Sequence, residues 1–272
     1  MRSSRSPVMT GLVPVISQPA DTNSSSALTN RCESRFVDGM DLPCSETLAL
    51  PHGPAHIEWR RSARARRVSL RIDARGGAVV VTLPPRAGRG AGVALLMTHA
   101  DWVAERLAAL PDAVPFADGA MVPIGGRLHR IRHMPHARGG AWLQDNELCV
   151  SGAAEFLRRR VLDLLRAEAR RRLSLLVVEK SDRLGITPRR ISVKDTRSRW
   201  GSCASNGSLA FSWRLVMAPE LVQDYVVAHE VAHLRHMNHG KRFWALVNKL
   251  TPFAAEAIPW LRVEGSRLLR IG

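Results

Sequence analysis

Lysine is nearly missing from this chain: of 40 basic residues only Lys180, Lys194, Lys241 and Lys249 are lysine, and the rest are arginine. Aromatic residues are sparse, at 5%, and Tyr225 is the only tyrosine. No run approaches the roughly 20 apolar residues needed to cross a bilayer, so no membrane role is expected. The four cysteines, Cys32, Cys44, Cys149 and Cys203, are scattered without paired metal spacing. They are too few for the disulfide framework of a small secreted domain, and reduced thiols in a cytoplasm are expected instead. The apolar stretch after Arg2 and Arg5 is short, is broken by Pro14 and lacks a clean cleavage site, so export is not expected either. Acidic residues number 24, which leaves a formal charge of +16. Such a charge attracts nucleic acid and other polyanions. Charge alone informs on association and not on fold, however, and a solvated basic surface is the favoured expectation over a nucleic-acid partner.

What is present suffices for one large core or two small ones, with 45% apolar residues over 272 positions. Residues 1–55 are rich in Ser, Thr, Pro and Asn without sustained periodicity, and read as a disordered tail. Met40 is an alternative start. From His56 the pattern changes to a β-rich portion extending to residue 150. It includes a hairpin of Val68–Ile72 with Ala78–Leu83 around Gly76-Gly77, and a helix over about 92–110. Strand pairs follow around Gly125-Gly126 and around Asp145-Asn146. Residues 151–272 read as a catalytic portion. A long amphipathic helix over about 153–184 has clustered arginines (Arg158 to Arg160, Arg166, Arg170 to Arg172), expected to be a solvated face. A strand at Ile191–Lys194 and another at Leu209–Leu215, after the Asn206-Gly207 turn signal, precede a helix opened by Pro219. Residues 56–272 are expected to form one unit.

The last of these helices carries His229-Glu230-Val231-Ala232-His233. One turn separates the two histidines, so both imidazoles project from one face and can grip one tetrahedral metal. Glu230, about 100° round the helix, is placed to take a proton from a water beside that metal. Roughly one chain in a hundred would carry three such residues by accident. The neighbours Tyr225 to Ala228, Val231, Ala232 and Leu234 are apolar on nearly every side, though, and burying two histidines and a glutamate among them is costly unless something satisfies them. A catalytic zinc takes three protein ligands and leaves a fourth position open. His239, His236 and Glu256 are candidates for the third. His236 is too far along the axis from His229, and Glu256 would require a following helix. His239 precedes Gly240, where the chain can turn back, and has the ligand spacing of the metzincins without their glycine. Ligand geometry favours His239.

Several segments together resemble the YgjP-like metallopeptidase family, a zincin family related to SprT-like peptidases. They are Ser198-Arg199-Trp200-Gly201-Ser202-Cys203, Leu215, Pro219, Asp224 through Leu234, Asn238-His239-Gly240 and Phe243-Trp244. The likeness is weak before Ile191 and strong after it, and fades past Pro252. It implies an α+β, zincin-like fold and a zinc-dependent hydrolase acting on protein or peptide substrates. It also implies one Zn2+ per chain on His229, His233 and His239, with Glu230 as base. A nucleic-acid-associated, SprT-like protein acting on DNA-bound or crosslinked protein is the alternative. In zincins an edge strand above the active-site helix pairs with an extended substrate, and the strands at Ser192 and at Leu209–Trp213 are candidates. Cys203 and Tyr225 are expected to pack rather than to act.

Overall fold

The structure, a computed structural model, describes residues 15–18 and 44–272. Most of the expected tail, residues 1–14 and 19–43, lies outside the described residues. The described chain divides into two compact units, Val13–Pro111 and Asp112–Gly272.

The first unit holds a five-stranded sheet. Its strands are β1 (Val15–Gln18), β2 (Cys44–Leu50), β3 (Gly53–Arg61), β4 (Val68–Asp73) and β5 (Ala78–Leu83), in the order β1-β4-β5-β3-β2. β3 and β5 are parallel and the other pairs antiparallel. A disordered tail to residue 55 is therefore incorrect for its end, because β2 pairs with β3 along its whole length. Its Ser/Thr content hid a period-two pattern in which Leu48 and Leu50 are the more buried members and Glu46 accepts a hydrogen bond from Trp59 Nε1 at 2.7 Å. The single helix expected over 92–110 is two, α1 (Arg89–Thr98) and α2 (Ala100–Ala108), broken at His99. Leu95, Leu96 and Val103 pack on Ile57, Leu70, Ile72, Val79 and Val81.

The second unit is α+β. A four-stranded sheet comprises β6 (Met121–Ile124), β7 (Arg127–Met134), β8 (Ala141–Gln144) and β9 (Glu147–Ser151), in the order β6-β7-β9-β8. The turn between β8 and β9 holds Asp145 and Asn146 at positive φ, the backbone of a two-residue hairpin loop. The 26-residue α3 (Leu157–Asp182) follows. Its Val161, Leu165, Ala169, Leu173 and Val177 recur every four residues and are all fully buried. That stripe shares one core with Val122, Ile124, Ile131, Leu148 and Val150. The boundary expected at residue 150 thus falls inside this core, and the two compact units meet in sequence near Pro111.

A three-stranded sheet contains β10 (Arg190–Lys194), β11 (Gly201–Cys203) and β12 (Ser208–Ser212), in the order β10-β12-β11. β12 is parallel to β10 and antiparallel to β11. After a 3-10 turn (Trp213–Met217), Pro219 caps α4 (Glu220–Ala232). α5 (Lys241–Leu250) and α6 (Ala254–Leu269) complete the unit. The start of α4 is fixed by close packing. A Cβ on Gly126, in the β6–β7 turn, would lie 3.1 Å from the Pro219 backbone, and Gln223 Nε2 donates to Ala218 O at 2.8 Å.

Candidate metal centre

α4 is buried from Tyr225 to Ala232, so the residues it carries at its C-terminal end are held rigidly and away from bulk water. His229 is 1% exposed, Glu230 4% and His233, the C-cap, 9%. The chain then turns through residues 234–240 and brings His239 back against His229, with 3.1 Å between their Nε2 atoms. One nitrogen from each of His229, His233 and His239 lies within 4.8 Å of the others. Glu256 and His236 are not part of this group. His236 contributes its carbonyl instead, which accepts a hydrogen bond from His233 Nδ1 at 3.0 Å. That bond puts the proton of the neutral ring on Nδ1 and leaves the Nε2 lone pair available.

The donor set fits a zinc-sized cation. Two nitrogens bound at ~2.05 Å in a tetrahedron lie about 3.3 Å apart, close to the His229–His239 separation. Two imidazole nitrogens facing each other at that range need a proton or a cation between them. Burial, helped by the other two imidazoles, lowers the His229 pKa to about 3, and burial also lowers those of His233 and His239, so added protons are disfavoured and the rings stay neutral. Neutral imidazoles are what a metal requires.

An apolar wall encloses the cluster. The Phe243 ring centroid lies 4.9, 4.5 and 4.7 Å from those of His229, His233 and His239, and Trp244 lies 5.8 and 5.9 Å from His229 and His239. α5 supplies both aromatics. Their place could be noticed in the sequence only through the family resemblance, since nothing in the spacing ties residue 243 to residue 229.

Glu230 has a cradle of its own. A Cβ on Gly201 would lie 2.5 Å from its Cγ and 2.6 Å from its Oε1, so only glycine lets β11 approach the carboxylate this closely. Trp200 is buried on the other side of the strand, where Gly265 of α6 makes room for its ring. Burial raises the Glu230 pKa to about 8, and the Arg199 charge opposes that rise. A divalent cation in the histidine cluster would pull it back down.

One expectation about the surroundings changes. β12 is the central strand of its sheet, so Leu209–Ser212 cannot offer a free edge. The edge beside Glu230 is β11. Ser212 N donates to Trp200 O and Ala204 N to Ser208 O, so by the antiparallel alternation the backbone groups of Gly201 and Cys203 point away from β12. Cys203 is partly buried with a free thiol, its pKa raised to about 11 by burial and by the Glu230 charge, and it lies outside the ligand group. The Tyr225 ring is edge-on to His229 at 6.1 Å, and its hydroxyl pKa rises to about 12, chiefly through burial.

The family described as YgjP-like, metallopeptidase domain, matches residues 66–264, most of the chain. Comparison with curated proteins and with solved structures finds no significant match.

Proposed function

Because the chain belongs to the YgjP-like metallopeptidase family, we propose that it is a zinc-dependent peptidase with a zincin-like arrangement, working on protein or peptide substrates in the cytoplasm. His229, His233 and His239 hold one Zn2+, and Glu230 is the general base. The observation that carries this reading is the convergence within 4.8 Å of three neutral imidazoles, two buried and that of His239 half-buried, beside a buried carboxylate that has no ion-pair partner among the described residues. A structural site would have no use for that carboxylate, and leaving it unpaired in the interior is costly. No helix among the described residues is long and apolar enough to cross a membrane.

Zinc, when bound, supplies a Lewis acid that lowers the pKa of water towards 7 and polarises a peptide carbonyl. Glu230 accepts the proton of the attacking water and returns it to the leaving amine. Gly201, having no side chain, leaves room for the carboxylate against β11. The open edge of β11 pairs with an extended substrate, so backbone hydrogen bonds supply affinity with little sequence preference. Phe243 and Trp244 exclude water from the far side of the cluster, which strengthens electrostatic interactions within it.

The test is zinc analysis together with peptide cleavage. Glu230→Gln keeps one zinc per chain and loses about a hundredfold or more in turnover, as expected for removing a general base. His239→Ala loses zinc and Glu256→Ala does not. Zinc that survives the first and vanishes with the second would mean a misassigned ligand, and full turnover by Glu230→Gln would refute the mechanism.

A further inference from the structure

An open groove of about 450 Å³ lies on the turn that joins α4 to α5. The fully buried Phe243 is one of its lining residues, and its ring packs against all three imidazoles, which links the groove to the cluster. Its remaining lining is cationic or neutral: Arg235, Lys241 and Arg242, with Met237 and Asn238 among the others, and no carboxylate. The three cations are exposed, and none has an ion pair or a side-chain hydrogen bond among the described residues. Some other arginines of this unit are partnered. Arg171 and Arg172 share Glu168, and Arg183 donates to the carbonyls of Lys249 and Leu250.

The placement of Lys241 and Arg242 is locally unfavourable. They open α5, where the helix dipole is already positive and where no acidic residue lies in the first turn. Such a conflict, beside a reactive centre, is expected where a ligand supplies the missing charge. Arg199 adds a fourth exposed cation two residues before Gly201, on the Glu230 side of the cluster.

We propose that this groove is a subsite for acidic side chains of the substrate, so that the enzyme selects acidic protein segments; this rests on the peptidase reading above. The volume lies within the range of a small-ligand pocket and holds one or two side chains. A carboxylate seated there meets guanidinium and ammonium donors within a few residues of the zinc ligands. Nucleic acid is the less suited occupant, since its charge runs along a continuous track at one phosphate per about 1.7 Å of duplex.

The experiment measures binding with uncut substrate. Zinc-loaded, full-length Glu230→Gln protein is titrated into a fluorescein-labelled glutamate-rich peptide and into its glutamine counterpart, read by anisotropy. The glutamate peptide binds about tenfold tighter, the sum of a few exposed ion pairs. Adding Arg235→Gln and Arg242→Gln removes that preference while zinc content stays at one per chain. Arg242→Lys retains most of it, and Arg158→Gln with Arg166→Gln on α3 leaves it intact. Equal affinity for the two peptides would overturn the proposal. So would a preference lost only in the α3 variant, or a groove that binds a DNA oligonucleotide but not the acidic peptide. If the preference holds but wild-type enzyme cleaves neither peptide, the groove stands and the peptidase reading fails. Cleavage of both peptides without charge preference gives the reverse.

Discussion

In the unit Val13–Pro111 the interior is almost wholly apolar: of its described residues, Asp73 is the one polar side chain that is buried. In Asp112–Gly272 the interior also contains Lys180, Arg214, Gln223, His229, Glu230 and His233. Burying charge is expensive, so this second unit carries a cost that the first avoids. The buried charges are themselves of two kinds. Lys180 Nζ donates to Asp224 Oδ2 at 2.5 Å and to Leu250 O at 3.3 Å, tying α3, α4 and the end of α5 together. Arg214 lies over the Trp213 ring and pairs with Asp195, which also accepts from Trp213 Nε1 at 3.1 Å. Those groups are matched inside the protein and hold the scaffold. Among the described residues His229 Nδ1 has no partner and Glu230 no counter-ion in contact, and these two belong to the proposed site. Buried charge matched within the protein marks scaffold here, and buried titratable groups without a counter-ion mark the proposed site.

The largest way to break that distinction is to unmatch a scaffold pair. Lys180→Met strands the Asp224 carboxylate and is expected to cost about 3–5 kcal/mol of stability in a denaturant titration. Pairing it with Asp224→Leu should recover most of that loss, because an apolar pair of similar volume needs no partner. A double variant no more stable than the single one would show that the pair is not simply a matched charge.

Next comes a change that should leave the scaffold alone and damage the site. Gly201→Ala introduces a Cβ where the Glu230 carboxylate lies. The glutamate side chain can rotate away, so the melting temperature should move little. Turnover should fall by about a hundredfold, as expected when a reacting group is displaced by about 1 Å. Loss of folding with retained specific activity would invert the assignment.

A smaller effect is expected in the pH dependence of the zinc-free protein. His229 titrates at about 3 when folded against an ordinary 6.5, so the unfolded chain binds the extra proton and stability rises with pH between those values. Glu230 titrates at about 8 against an ordinary 4.5, so the folded state holds the extra proton and stability falls as pH rises from 4.5 through 8. The two trends oppose each other up to pH 6.5, and only the fall remains above it. Zinc-free wild type should therefore lose about 1–2 kcal/mol between pH 6.5 and 8. Glu230→Gln should be flat over that range, and an identical fall in both proteins would remove Glu230 as its cause.

The smallest effect is expected on α3. Arg158, Arg159, Arg166, Arg170 and Arg171 are exposed there, whereas Arg160 donates to Ser151 and Arg172 to Glu168, whose own pKa is drawn down to about 2 by Arg171 and Arg172. Replacing Arg158, Arg159 and Arg170 should leave any weak DNA binding and its salt slope unchanged. A slope flattened by about 0.9 per lost phosphate contact would instead identify a working polyanion surface.

The elements easiest to read from sequence were those with local signals. The Asp145-Asn146 and Asn206-Gly207 turns, the four-residue apolar stripe of α3 and the Pro219 start of α4 all follow from residues near one another in the chain. The helix over 92–110 was read as one because no glycine or proline marks His99. β2 was missed because its face is only half covered, so its alternation is weak. α5 and α6 went unread because no cap or charge pattern sets off their starts: α5 opens with two cations, and α6 contains Pro259.

For the site, the sequence alone determined that His229 and His233 share one helix face, since a helix fixes side chains one turn apart. It also determined that they are buried, from the apolar residues between and around them. That His239 rather than Glu256 or His236 lies beside them emerged from the folded chain, because a turn of irregular backbone has no period from which to project a side chain. The edge strand was settled in the same way. Which of β10, β11 and β12 is central depends on pairings across the sheet, and that order leaves Gly201, with no side chain of its own, against Glu230.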